Sequence, residues 1–130
     1  MRSNPVVWFE IYVQDMQRAR SFYEAVLEQK LERMPPPTAE MNMEMWAFPA
    51  DKESAHTSYG ACGMLVKMEG FPSAGGGTLV YFGCRDCAVE ASRVVANGGT
   101  IVREKMSIGE HGHIVLARDT EGNMIGFHSM

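Results

Sequence analysis

The strongest constraint on this chain is an internal duplication. Residues 6–13 read Val-Val-Trp-Phe-Glu-Ile-Tyr-Val and lead through Gln14 and Asp15 into a stretch of helical periodicity that ends at Leu27. Residues 78–84 read Thr-Leu-Val-Tyr-Phe-Gly-Cys and lead through Arg85 and Asp86 into a second such stretch, closed by Gly98 and Gly99. Both passages combine a short apolar strand, an aspartate suited to cap a helix N-terminus, and an amphipathic helix of about three turns. A chain built this way folds as two like modules, and the concave space between paired small sheets is a natural place for a ligand.

The first copy continues with predicted strands at 30–34, 41–48 and 60–68. Pro35, Pro36 and Pro37 end the first of these, because proline supplies no amide to a ladder. Residues 49–59 read as a polar loop and 71–77 as a flexible, glycine-rich linker. The second copy has a strand at 78–84, a helix at 86–97, and strands at 100–105, 112–118 and 123–128, with a turn over Asp119 to Gly122. The predicted order is βαβββ twice, an α+β class with a cupped, mostly antiparallel sheet. Module one covers about 5–69, the linker about 70–77 and module two about 78–130 of a single domain.

A chain of 130 residues buries enough surface to need no covalent staple. Its net charge of −4 and isoelectric point near 5.5 argue against nucleic acid as a partner. It has no apolar run of membrane-spanning length and no signal-like segment ahead of the first strand, so no membrane partner is expected. Three cysteines suit a reducing compartment better than a disulfide framework, and the expected location is cytoplasmic.

Alternation places Trp8, Glu10 and Tyr12 on one face of the first strand, and Val7, Phe9, Ile11 and Val13 on the other. Met41, Met43 and Met45 likewise share a face, either as ordinary core or as a pliable wall for a hydrophobic ligand. Cys84 and Cys87 form a Cys-x-x-Cys at a strand-to-helix junction. They take the places of Val13 and Met16 in the first copy, which favours packing over redox chemistry. His111 and His113 flank Gly112 at a loop-strand boundary beside Glu110. They read either as metal or carboxylate ligands or, more commonly, as an exposed pair. His56 lies in the polar loop without a close sequence partner. The glycines at 75–77 precede a strand and lack a following Lys-Ser/Thr, so they do not form a phosphate loop.

The layout and wording resemble the vicinal oxygen chelate superfamily of glyoxalases, bleomycin-resistance proteins and extradiol dioxygenases. The matching residues are 9–13 with Asp15, Ala19, Phe22 and Tyr23; 63–68; 80–82 with Asp86; Gly98 and Gly99; and 116–123. The resemblance implies the glyoxalase/bleomycin-resistance fold and, in members with chemistry, a divalent metal on the first, fourth, fifth and eighth strands. Carried onto this chain, those positions fall on Trp8, within 61–66, on Leu79 and on Gly126. None offers an acid, amide or imidazole, so no cofactor is expected.

Glu10 and His128 lie two residues beyond lost ligand positions and point to the same face, with Tyr81 and Lys67 in related places. By the family's strand order, Glu10 is expected to face Lys67 and Tyr81 to lie beside His128. Glu10 and His128 are then the candidate base and acid, or else satisfied polar groups of a pocket rim. The first expectation is a homodimer with a small hydrophobic or aromatic ligand held by Trp8, Glu10, Tyr12, Tyr81, Met124 and His128. The second is a metal-dependent lyase, isomerase or dioxygenase-type enzyme with non-standard ligands. A third is a subunit whose cupped sheet packs on a partner.

Overall fold

A computed structural model describes residues 8–36, 42–51, 53, 60–75 and 78–130. Strand β1 (Trp8–Tyr12) leads into helix α1 (Met16–Leu27), followed by β2 (Glu32–Met34), β3 (Met43–Ala47) and β4 (Cys62–Met68). The second copy runs β5 (Val80–Gly83), α2 (Cys87–Val94), a 3-10 turn (Val95–Asn97), β6 (Thr100–Ser107), β7 (His113–Arg118) and β8 (Met124–Ser129). Two four-stranded sheets result, ordered β1-β4-β3-β2 and β5-β8-β7-β6. In each, the first strand runs parallel to the fourth and the other pairings are antiparallel. This is the duplicated α+β plan that the sequence predicts. Among the described residues no helix is long and apolar enough to cross a membrane.

Both helices start where an aspartate can cap them. The Asp15 carboxylate accepts from the Arg18 amide at 3.0 Å, and that of Asp86 from the Ala88 amide at 3.0 Å. Each cap satisfies an amide that has no partner in the helix, worth about 1 kcal/mol. The second helix is shorter than expected, because its last turn tightens into the 3-10 form before Gly98 turns left-handed at φ 95°. Leu79 precedes β5 rather than lying in it. The expected strand residues Val6, Val7 and Met41, and His56, lie outside the described residues.

One core serves both modules. Phe22, Tyr23 and Val26 of α1 and Cys87 and Val94 of α2 pack with Ile11, Leu65, Val115, Ile125 and Phe127 from the two sheets. Phe82 joins the halves, with its ring 6.2 Å from that of Phe9 and 6.0 Å from that of Tyr23. Each such side chain contributes roughly 1.5–3 kcal/mol when fully buried. Cys87 belongs to this core, with no solvent exposure. Burial, followed by the nearby Glu90 carboxylate, pushes the Cys84 thiol up to about 12, the opposite of what a reactive thiol needs.

The turn between β7 and β8 fastens the second module to the first. Glu121 has a side chain without solvent exposure. It accepts from the amides of Gln14 at 3.0 Å and Asp15 at 2.9 Å, and from two nitrogens of Arg18 at 2.8 and 2.9 Å. Asn123 donates to the Tyr12 carbonyl at 3.0 Å and accepts from the Ala74 amide at 2.6 Å. Buried beneath them, the Tyr23 hydroxyl donates to Asp119 at 2.6 Å.

The expected flexible linker is therefore pinned at its start. Phe71 stacks on Tyr12 with centroids 5.1 Å apart, and the Ser73 hydroxyl donates to the Tyr12 carbonyl at 2.6 Å. Glycines 76 and 77 lie outside the described residues.

Candidate functional site

The core occupies one face of each sheet, and the helices lie on that side. Alternation from the buried Ile11 and Val13 turns Trp8, Glu10 and Tyr12 to the other, helix-free face of the first sheet. The same rule, counted from Phe82 and Phe127, turns Tyr81, Met124 and His128 to the helix-free face of the second. All six candidate residues thus share the equivalent face of their modules, three on each sheet. Among the described residues, β1 and β5, which carry Trp8, Glu10, Tyr12 and Tyr81, are both edge strands with a single neighbour.

Glu10 is held by its own strand. The Trp8 indole donates to one carboxylate oxygen at 3.1 Å, and the Tyr12 hydroxyl to the other at 2.7 Å. The hydrogen bond to Glu10, then burial, then the charge of Glu10 raise the Tyr12 phenol to about 12, so Tyr12 is a donor at neutral pH. Trp8 and Tyr81 remain 44% and 45% exposed, high values for rings of their size.

The register corrects one expected contact. Glu10 lies opposite Met64, whereas Lys67 lies opposite Glu44 on the helix side of the sheet. Glu10 and Lys67 do not face each other, because β4 turns alternate residues to opposite faces and 67 has the wrong parity. Tyr81 lies opposite Gly126, and His128 opposite Gly83, so Tyr81 and His128 share a face one diagonal step apart. His128 and Met124 lie opposite Ile114 and Arg118 of β7. His113, by contrast, pairs with Ser129 and turns to the helix side, where its Nδ1 is buried without a hydrogen-bond partner among the described residues.

Beneath Tyr12 the first sheet has a second apolar cluster. Met45, Met64 and Val66 are buried there, with Tyr12, Met43, Ala47 and Met68 packed around them. The expected sharing of a face by Met43 and Met45 is found, and Met64 and Met68 join them. A cleft of about 680 Å3 opens beside this cluster, lined by residues that include Met43, Met68, Phe71, Arg33 and Lys67. None of the six candidate residues lines it. Sequence reasoning missed Met64, Met68 and Phe71 because nothing local reveals which strands lie side by side.

A divalent ion is a poor match for the family positions as they stand. The Trp8 and Leu79 side chains carry no donor lone pair for a hard cation. At Gly126 a Cβ would stand 2.4 Å from carbons of the Tyr81 ring, so the ring fills the place of a ligand side chain. Within 61–66 the β4 residues on that face are Cys62, Met64 and Val66. Among the described residues no group of three or more His, Cys, Asp or Glu side chains could hold a metal ion. The side chains at these four family positions do not fit a divalent ion.

Two βαβββ modules with one shared core and helix-free faces on both sheets define the class of protein. The family model of the Glyoxalase/Bleomycin resistance protein/Dioxygenase superfamily matches residues 6–127, and the chain belongs to that superfamily. Among solved structures it is similar to a hypothetical protein from S. aureus, at 17% identity over 99% of this chain and 100% of that one, with a TM-score of 0.67. It is also similar to glyoxalase I from Zea mays, at 20% identity and a TM-score of 0.73. That match covers 96% of this chain but 46% of the maize chain. The trypanothione-dependent glyoxalase I of Leishmania major matches at 17% identity over 98% and 87% of the two chains, with a TM-score of 0.70. At these identities the likeness concerns the fold alone. No curated protein matches the chain.

Proposed function

We propose that this protein binds a small hydrophobic or aromatic molecule on its helix-free faces, as a homodimer and without a bound metal. The observation that carries the reading is the exposure of Trp8 and Tyr81 on edge strands, with Glu10 fixed between Trp8 and Tyr12. Exposed flat rings beside an oriented carboxylate suit a planar ligand with a donor group, since stacking and one directed polar contact add. Edge strands β1 and β5 also leave backbone groups open to a second copy, which would bring the Trp8 face of one chain to the Tyr81 face of its partner. Glu10 and His128 then orient the ligand, and Met124 contributes apolar contact. A cytoplasmic location accords with the free cysteines.

The test is tryptophan fluorescence of the full chain, in chelator-treated buffer, against a panel of planar aromatic compounds. Saturable quenching that Trp8→Phe abolishes supports the reading, because Trp46 remains as the internal reference. Quenching that appears only when a divalent metal is added back, or none across the panel, overturns it.

A further inference from the structure

We propose that the methionine face of the first sheet is a binding site for a soft monovalent cation, Cu(I) or Ag(I), held by the thioethers of Met43, Met45 and Met68. The proposal is independent of the ligand reading above.

Three observations converge on it. The first is register. Met43 lies directly opposite Met68, and Met45 opposite both Met34 and Val66. Opposed residues on one face have Cβ atoms about 4.5–5.5 Å apart, and Met43 and Met45 are successive residues of that face. A methionine side chain has three rotatable bonds beyond Cα, so sulfurs starting from these positions can converge on one point.

The second observation is segregation. The main core uses aromatic and branched side chains with Met16 as its one methionine, while Met45 and Met64, with Met43 and Met68 around them, form a separate cluster. The third is access: Met43 and Met68 line the 680 Å3 cleft, so an ion can reach those two side chains from solvent, while Met45 beside them is buried. Around the mouth the cations Arg33 and Lys67 are offset by Glu44 and Glu69.

The chemistry selects the ion. Thioethers are neutral, soft and polarisable, and they favour Cu(I) over zinc, magnesium or calcium. Three sulfurs in a largely apolar cluster satisfy a monovalent ion that accepts low coordination, and no proton is displaced on binding.

The experiment is a titration of the full chain, labelled with 13C at the methionine methyls, with silver nitrate, followed by NMR and by native mass spectrometry. Beyond any silver taken by the free thiols, one further ion per chain is expected to shift the methyl signals of Met43, Met45 and Met68 and to leave that of Met16 unmoved. The triple variant Met43→Leu, Met45→Leu, Met68→Leu should bind silver at least about tenfold more weakly, because it keeps the apolar volume and removes the soft donors. Competition with a chromophoric Cu(I) chelator under ascorbate repeats the measurement for copper. No uptake overturns the proposal. So does uptake that leaves these methyls unmoved, which would assign the ion to the thiols of Cys62 or Cys84. If the triple variant does not fold, the methyl shifts of the unaltered chain decide alone.

Discussion

Arg18 holds Glu121 by a two-pronged ion pair that crosses from one module to the other, with contacts of 2.8 and 2.9 Å. Burial alone would raise the Glu121 carboxyl. The Arg18 hydrogen bond, the Asp15 amide, the Thr120 hydroxyl and the Gln14 amide outweigh burial and lower it from 4.5 to about 2. A carboxyl depressed on folding stabilises the protein fully above its unfolded value and loses that contribution as pH falls towards the folded one. The window is therefore about pH 4.5 down to about 2, and the linked stability is about 3 kcal/mol. Glu121→Gln should cost roughly 2–3 kcal/mol at neutral pH. It should also flatten the acid limb of a urea-midpoint profile. An unchanged acid limb would remove Glu121 as its cause.

Tyr12 gives a second titration, at the alkaline end. Its phenol is raised from 10 to about 12, chiefly by the hydrogen bond to Glu10. Ultraviolet titration of phenolate should resolve it above ordinary tyrosine, and Glu10→Gln should bring it back towards 10. The unfolded phenol ionises first, so the stability linked to Tyr12 is intact below about pH 10 and is lost between about 10 and 12.

A pair of glycines lying under aromatic rings separates packing from exposure. A Cβ at Gly63 would stand 2.4 Å from the Phe9 ring, and one at Gly126 an equal 2.4 Å from the Tyr81 ring. Phe9 is packed against the core, whereas Tyr81 is 45% exposed and free to swing outward. Gly63→Ala should therefore cost roughly 1–3 kcal/mol by overpacking. Gly126→Ala should cost less than about 1 kcal/mol, since the displaced ring has solvent to enter. Chemical denaturation of the two variants compares them directly, and equal losses would refute the distinction.

Tyr23→Phe tests the buried end of the clamp. It leaves Asp119 Oδ1 with the backbone amides of Glu121 and Asn123 at 2.8 and 2.9 Å, and Oδ2 with the Asn123 side-chain amide at 3.1 Å but without its 2.6 Å phenol donor. A loss of about 1–2 kcal/mol in thermal or urea unfolding is expected, with native secondary structure retained. A neutral result would mean that a water replaces the hydroxyl.

Much of this fold was legible because its signals are local. Asp15 and Asp86 announce helix starts within a few residues, and alternation around Ile11 already separates the two faces of β1. The Glu10–Lys67 pairing was misjudged for a physical reason: a slip of one residue on a strand exchanges its faces, and nothing near Lys67 specifies parity. Glu121 was invisible as a clamp. A charged residue in a turn reads as solvated, and its partner Arg18 lies in the other half of the chain. Phe71 was hidden in the same way, by a linker whose composition suggests freedom although its first residues are fastened. The candidate site was legible as a set of side chains on a shared face, but its methionine floor needed the order of strands.

The Tyr81 ring over Gly126 also bears on how this lineage can change. An aromatic at 81 and any side chain at 126 compete for one volume, so a side chain at 126 displaces the ring at 81. A variant with an acidic side chain at 126 would have to give up the ring in the same step or hold it in a displaced position. Positions 81 and 126 are thus coupled sterically, with the exposed ring as the partner that yields.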